Sequence, residues 1–351
     1  MEIKEHSGTY FAAMNTAKGF RSYFYEIFGD LPTLYIIKGG PGTGKSRLMR
    51  SFAESARAKS YSVEEFLCSS DPTSLDGVII PELGIGVLDG TLPHSYELHI
   101  PGARENIIDL GQFWDSNILK NRHSEITALN ESKTRLYASV YAYLNAISCY
   151  DEMIRDMVQT ALEEDKLSFA IKRAGYTLGN GNYEGAHKIR IRSSVSADGY
   201  ITLNTYASKA TKRYSVLDVC GSAGQFMQRL LKETDRRSNR AIVSYCPFRP
   251  TEPDAIYYPE KDTVYYLGSE TDYDEKTVNM KRFIDDKKLR PYKPRIRALN
   301  RLKEATVKEL RTDYSSIRRL HTELERLYAE SMDFKAKEKF TEEFINKILS
   351  K

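Results

Sequence analysis

The sequence has no long apolar stretch, no apolar leading segment and no closely paired cysteines. No apolar run approaches the roughly 18–20 residues that cross a bilayer, and the first residues, Met-Glu-Ile-Lys-Glu-His, lack the apolar region of a secretory signal. No C-x-x-C pair occurs among the four cysteines, which are Cys68, Cys149, Cys220 and Cys246. These absences argue against a membrane protein, a disulfide scaffold and a zinc site. We expect a reduced, cytoplasmic protein.

The charges of the chain nearly balance. Its 351 residues include 52 Lys and Arg against 48 Asp and Glu, a net charge of +4. This excess is too small to indicate nucleic-acid binding by itself. The apolar share of 41% and the charged share of 28% are typical of a globular protein, and the length predicts two domains or one large one. The sequence contains neither H-E-x-x-H nor G-x-S-x-G.

A strand–loop–helix motif lies near the start of the chain. Residues 34–37 form an apolar run that predicts a buried strand, and residues 47–59 have helical spacing without Gly or Pro. Between them is a complete match to G-x-x-x-x-G-K-[ST], here called the glycine loop, which consists of Gly39, Gly40, Pro41, Gly42, Thr43, Gly44, Lys45 and Ser46.

The glycine loop predicts ATP and Mg²⁺ as cofactors. Glycines allow backbone N–H groups to turn inward around phosphate oxygens, and the N-terminus of the following helix adds positive potential. We expect Lys45 to reach the β- and γ-phosphates and the Ser46 hydroxyl to bind Mg²⁺. Arg47 follows directly and completes the predicted nucleotide-binding set.

An acidic residue at the end of a second buried strand should help to bind Mg²⁺. Residues 85–88 are largely apolar and lead into Asp89, which is the preferred candidate for holding Mg²⁺. Asp71 is the rival, because it follows the strand-like run 63–68. Both are retained as catalytic candidates beside Lys45, and Glu82 is a third acid nearby.

The sequence repeats itself at an offset of 178 residues. The pattern Cys-x₃-Pro-Thr-x₂-Asp-x₄-Pro-Glu begins at Cys68 and begins again at Cys246. Upstream, residues 17–20 resemble residues 197–200, and the strand that precedes the glycine loop aligns with residues 215–219. We therefore predict an α/β fold that contains a duplicated P-loop NTPase-like unit, each copy with a short, largely parallel sheet.

The second copy lacks the residues that would hold nucleotide. Its loop is shorter and has no Gly-Lys-Ser, so we predict a degenerate copy. At the offset of 178 residues, Leu267 aligns with Asp89 and Arg249 aligns with Asp71. Asp76 and Glu82 persist in the second copy as Asp254 and Glu260. Because Asp76 and Glu82 are kept in a copy that cannot hold phosphate, we predict that their role is structural and that they shape the turn.

Each copy is followed by a helical extension. The spacing of apolar residues predicts a helical hairpin over about 115–173, with Asp115 as an N-cap, and further helix to the end of the chain. Glycine-rich residues 175–185 are typical of a linker. We predict one unit over 1–180 and a degenerate unit over 186–351.

Residues 281–303 are strongly basic. Such a stretch is usually an exposed face, but it could meet nucleic acid or bring an arginine, such as Arg295 or Arg297, to the first copy. Aromatic residues are sparse within it, so support for single-strand stacking is weak.

Several longer motifs carry a resemblance to a known group of proteins. They are residues 15–20, the glycine loop with residues 46–49, and residues 68–72, 77–83 and 89–94. With these motifs the chain resembles an uncharacterised family of bacterial ATPases, found mainly among Firmicutes, that is built from two tandem P-loop units. The resemblance implies ATP binding and adds Asn15, Thr16 and Lys18 as residues near the nucleotide.

Three functions remain open from the sequence. The first is a Mg²⁺-dependent ATPase with one working site and one pseudo-site, acting on a small-molecule or protein partner that the sequence does not name. The second is a small-molecule or nucleotide kinase, in which the helical extensions cover an acceptor. The third is a scaffold whose ATP cycle is stimulated by nucleic acid.

Overall fold

The computed structural model describes residues 5–94, 96–268 and 276–350. The elements of the first half of the chain are β1 Thr9–Phe11, β2 Ala13–Thr16, β3 Gly19–Ser22, α1 Phe24–Phe28, β4 Thr33–Lys38, α2 Lys45–Ala58, β5 Glu64–Leu67, β6 Leu75–Ile80, β7 Ile85–Asp89, β8 Glu105–Asp109, α3 Ser116–Asn121, α4 His123–Gln159 and α5 Glu164–Leu178.

The second half repeats this succession of strands and helices. Its elements are β9 Lys188–Ile189, β10 Ser193–Ser196, β11 Gly199–Thr202, β12 Lys212–Leu217, α6 Ser222–Asp235, β13 Ile242–Cys246, β14 Arg249–Tyr258, β15 Thr263–Gly268, β16 Lys276–Asn279, α7 Asp286–Leu289, α8 Lys293–Ala329 and α9 Phe334–Leu349.

Two six-stranded sheets share one strand order. The first is β1-β5-β6-β7-β4-β8, and the second, read from its other end, is β9-β13-β14-β15-β12-β16. Even the register repeats, because Gly77 pairs with Leu88 and Ala255 pairs with Tyr266, 178 residues further on. The fold is α/β, and this correspondence is consistent with a duplicated α/β unit.

Both sheets are mixed, which corrects the prediction of largely parallel sheets. In the first, β6 is antiparallel to both β5 and β7, while the other pairs are parallel. The reason lies in the connections. A single helical turn, Pro81–Leu83, joins β6 to β7, and such a short connection permits a hairpin but not a parallel crossover.

The two longest helices, α4 and α8, pack against each other in antiparallel orientation. Each has 37 residues, and each α4 residue corresponds to the α8 residue 170 positions later. The apolar core of the pair is formed by equivalent positions of both helices, namely Val140, Leu144, Ile147, Leu310, Tyr314 and Ile317. The long amphipathic stripes predicted from the sequence thus bury their apolar faces on each other.

This pairing leads to an exchange of the helices that follow. Helix α5 packs on the second sheet, where Leu167 and Ile171 join Phe226 in one apolar cluster. Helix α9 packs on the first sheet, where Phe344 contacts Tyr35 and Phe52. Each half is therefore completed by the terminal helix of the other.

The crossing points of this exchange are fixed by equivalent backbone hydrogen bonds. Asp115 N donates to Ser331 O, and Asp285 N donates to Ala161 O, each at 2.8 Å. These two aspartates also cap the short helices α3 and α7 with their side chains. The predicted N-cap at Asp115 is thereby confirmed.

The linker between the halves begins later than predicted. Gly175 lies inside α5, which continues to Leu178. A Cβ atom on Gly175 would lie 2.7 Å from Cγ of Glu233, so glycine here permits the close approach of α5 to α6 rather than a chain break. In the described part of the chain, no helix is both long and apolar enough to cross a membrane.

The exchange predicts that α9 stabilises the first sheet. Phe344→Ala should lower the free energy of unfolding by about 3 kcal/mol, because it removes a buried ring between Tyr35 and Phe52. Phe169→Ala is the control, since Phe169 is 69% exposed on α5. Denaturant unfolding measures both variants, and equal, small losses would contradict the packing of α9.

Candidate nucleotide-binding site

The glycine loop connects the C-terminal end of β4 to the N-terminus of α2. Gly42 and Gly44 adopt the left-handed conformation, with φ of 71° and 86°, which a residue with a Cβ atom adopts at a cost. Gly44 is also the N-cap of α2 and supplies no side-chain acceptor. Among the described residues, no side-chain oxygen accepts from the N–H groups of residues 44–47, which the first turn of a helix leaves without backbone partners.

Lys45 folds back into the loop. Its Nζ donates to Gly39 O at 2.9 Å and to Gly40 O at 2.8 Å, and it lies 3.7 Å from Oδ2 of Asp89. The ammonium group therefore sits where backbone carbonyls and one carboxylate converge. These contacts hold the charge inside the loop.

Asp89 lies closer to the loop's lysine than its rival. It ends β7, the parallel neighbour of β4, and its side chain accepts hydrogen bonds from Thr91 N and Oγ1. Asp71 lies in the loop between β5 and β6, where its oxygens accept from Thr73 and Ser74 in its own turn. Glu82 stands at the opposite end of β7, is exposed, and accepts from Ser62 N.

Ser46 contacts the strand that follows Asp71. Its Oγ accepts a hydrogen bond from Leu75 N at 2.9 Å, which joins the start of α2 to the start of β6. Thr43 Oγ1 donates to Gly40 O at 2.8 Å and braces the loop from within. Arg47 points away from the loop and is 72% exposed, in an ion pair with Glu338 of α9.

Helices of the second half cover the glycine loop. A Cβ atom on Gly40 would lie 2.5 Å from the ring of Tyr328, and one on Gly42 would meet the backbone of Glu325. A Cβ atom on Gly44 would lie 3.0 Å from Nζ of Lys337. Three glycines of the loop therefore permit close packing against the end of α8 and the start of α9.

A charged cluster on α4 and α8 lies beside the loop. Lys133 Nζ is 3.0 Å from Nδ1 of His321, and His321 Nε2 is 3.6 Å from Oε1 of Glu325. Burial, and then the Lys133 ammonium, lower the pKa of His321 to about 4, so the imidazole is neutral at physiological pH. Burial, reinforced by Asp71, raises the pKa of Glu325.

Sequence reasoning missed these residues of α4, α8 and α9. Tyr328, Glu325 and His321 lie between the apolar positions of a helix whose stripe indicated packing alone. Their only signal was polar side chains spaced three to four residues apart. Arg295 and Arg297, which could have reached the first copy, lie in the first turns of α8. They lie about 45 Å along the helix from Glu325, at 1.5 Å per residue, so the structure does not bring them to the loop.

The corresponding loop of the second copy is filled by its own side chains. Asp218 accepts from Gly221 N and Ala223 N, each at 2.8 Å, and so occupies the N-terminus of α6. Glu252 forms ion pairs with Arg249 at 2.8 Å and with Arg155 at 2.6 Å. An internal carboxylate and an ion-pair cluster thus lie where the first copy, in the described part of the chain, has N–H groups without a side-chain acceptor.

Asp76 and the neighbouring His94 are both buried. Asp76 lies inside β6 and is 3% exposed, which corrects its predicted role in shaping the turn. His94 is also buried, between the rings of Phe20 and Phe24, and its Nε2 lies 3.3 Å from Asp76 Oδ2. The bend between β6 and β7 is formed by Pro81–Leu83 without Asp76.

Asn15, one of the residues added by the family resemblance, lies beside the Asp71 loop. Its amide is 3.4 Å from Ser70 Oγ, and its Oδ1 accepts from Tyr141 OH at 3.0 Å. Thr16 and Lys18 belong to the β2–β3 hairpin turn. None of the three contacts the glycine loop through a hydrogen bond in the described residues.

Comparison of the chain with protein-family models, with curated proteins and with solved structures finds no match. The function is therefore inferred from the residues and their geometry alone.

His321 provides a test of the cluster beside the loop. Its imidazole should titrate with a midpoint near 4 in NMR spectra, against an ordinary value near 6.5, with assignment by loss of the signals in His321→Asn. Between pH 4 and pH 6.5 the His321 imidazole is protonated in the unfolded chain but not in the folded chain. The residue's contribution to stability is therefore complete above pH 6.5 and is lost as the pH falls toward 4. A midpoint near 6.5 would show that the imidazole is solvated and far from Lys133.

Proposed function

We propose that the chain binds Mg·ATP in the glycine loop of its first half and hydrolyses it. One observation carries the proposal: a complete G-x-x-x-x-G-K-S segment joins a buried strand to a helix whose N-terminal N–H groups have no side-chain acceptor in the described residues. Such a helix end, preceded by left-handed glycines, fits a phosphate group by charge and by hydrogen bonding.

In this proposal Lys45 exchanges its two carbonyl contacts for phosphate oxygens. The carbonyls of Gly39 and Gly40 hold its ammonium beside the loop, so only a short side-chain movement is needed. A positive charge there offsets the charge that develops during phosphoryl transfer. Arg47 is assigned a lesser part, because its side chain is exposed and paired with Glu338.

The metal would be held by Ser46 and Asp89. Ser46 lies in the first turn of α2, and Asp89 is the last residue of β7, the strand next to β4. Oxygen ligands of this kind suit Mg²⁺, which keeps several of its waters. Asp89 is favoured over Asp71 because it already lies 3.7 Å from Lys45, and Asp71 forms no ion pair with Lys45 among the described residues.

The second half is proposed to serve the first rather than to bind a second nucleotide. It supplies Tyr328 and Glu325 of α8 and Lys337 of α9 to the surroundings of the glycine loop. Lys337 is 1% exposed, and burial together with Arg47 lowers its pKa. A buried cation at this position favours an anionic ligand nearby.

Lys45→Ala tests the proposal. ATP affinity should fall by about ten- to a hundred-fold, which corresponds to the 1.5–3 kcal/mol of a charge-assisted hydrogen bond, and hydrolysis should fall to background. The fold should survive, because the ammonium group's polar contacts within the described ranges are to two loop carbonyls and Asp89. Calorimetric titration with a non-hydrolysable analogue and a phosphate-release assay measure the two effects.

Ser222→Ala is the matched control. Ser222 follows the left-handed Gly221 in the second copy, as Lys45 follows Gly44 in the first. This variant should bind and hydrolyse ATP like the unmodified chain. Undiminished turnover in Lys45→Ala would refute the proposal.

A further inference from the structure

A thiol, a carboxylate and an imidazole converge behind the glycine loop. Cys68 follows β5, Asp76 lies in β6, and His94 follows β7. Their ligand atoms all lie within 4.8 Å of one another. The three residues come from adjacent parts of the first sheet and are brought together by its antiparallel strands.

Two buried polar atoms of this cluster have no hydrogen-bond partner among the residues that the structure describes. They are Nδ1 of His94 and Oδ2 of Asp76, in side chains that are only 8% and 5% exposed. The Asp76 oxygen and His94 Nε2 approach to 3.3 Å but form no hydrogen bond. A buried polar atom without a partner costs about 1–3 kcal/mol, so these atoms point to a ligand.

In the second copy a guanidinium and a hydroxyl face the corresponding carboxylate, although Asp254 Oδ1 and Arg192 Nε have no hydrogen-bond partner among the described residues. Cys246 and Asp254 correspond to Cys68 and Asp76 at the offset of 178. There the Arg192 guanidinium lies 3.8 Å from Asp254, and Ser193 donates to Asp254 at 2.5 Å. The hairpins β2–β3 and β10–β11 align so that Ala12 and Ala13 stand in place of Arg192 and Ser193. The first copy therefore has no guanidinium at this position.

The donor set suits a divalent ion that accepts sulfur, nitrogen and oxygen. Zn²⁺ binds cysteine sulfur at about 2.3 Å and histidine nitrogen at about 2.0 Å in tetrahedral geometry. Ligand atoms around such an ion are about 3.5 Å apart, so the three groups need only a small inward movement. Mg²⁺ does not match a thiolate ligand.

We propose that Cys68, Asp76 and His94 bind a Zn²⁺ ion, with a water molecule in the fourth position. The thiol loses its proton on binding, and the ion takes the place that Arg192 has in the second copy. The ion would fasten the ends of β5 and β7 to β6, directly behind Asp89 and Lys45. The site is separate from the proposed nucleotide site and does not depend on it.

Cobalt titration of the full-length chain tests the site without any nucleotide. The protein is purified under reducing conditions, stripped with a chelator and titrated with Co²⁺, whose bond to a thiolate gives a near-ultraviolet charge-transfer band. We expect the band to saturate at one Co²⁺ per chain and to disappear on addition of Zn²⁺. Cys68→Ser should abolish the band, and Asp76→Asn should weaken Co²⁺ binding by at least about tenfold.

Cys246→Ser is the matched control, because Cys246 occupies the same position in the second copy. It should leave the band and its stoichiometry unchanged. The proposal is overturned if the folded, reduced chain gives no thiolate band with Co²⁺. It is equally overturned if the band persists in Cys68→Ser while that variant and Asp76→Asn keep the circular dichroism spectrum of the unmodified chain.

Discussion

The antiparallel pairing of α4 and α8 is the constraint on which the rest of the structure depends. Because equivalent apolar residues meet at the centre of the pair, the two helices are related by an approximate twofold axis. Each helix therefore ends beside the opposite half of the chain. This placement sends α5 to the second sheet and α9 to the first, and it puts the last turns of α8 against the glycine loop.

The same symmetry makes the differences between the two loops informative. Lys133 and His321 meet beside the first loop, and their equivalents, Lys303 and Asp151, meet as an ion pair at 2.6 Å beside the second. Arg155 of α4 stands at the position of Glu325 of α8 and neutralises Glu252. The loop of the second copy thus contains charged side chains of its own, whereas the first has a lysine, a neutral imidazole and, among the described residues, N–H groups without a side-chain acceptor.

Local patterns in the sequence predicted local structure well. The helix expected over 47–59 is α2, the strand ending at Asp89 is confirmed as β7, and the repeat matches two sheets of the same order. The antiparallel strands could have been predicted from the short connection at Pro81–Leu83. The exchange of helices could not, because helical periodicity identifies a buried face but not the partner that buries it. For that reason Tyr328 and the residues around it were missed.

The number of nucleotides bound per chain tests the central claim most directly, because it depends on both loops at once. Calorimetric titration of the full-length chain with a non-hydrolysable ATP analogue and Mg²⁺ should give one site per chain, since the Asp218 carboxylate already occupies the N-terminus of α6. Two sites of comparable affinity would contradict the assignment of the second copy as a closed partner. Absence of any site would contradict nucleotide binding itself.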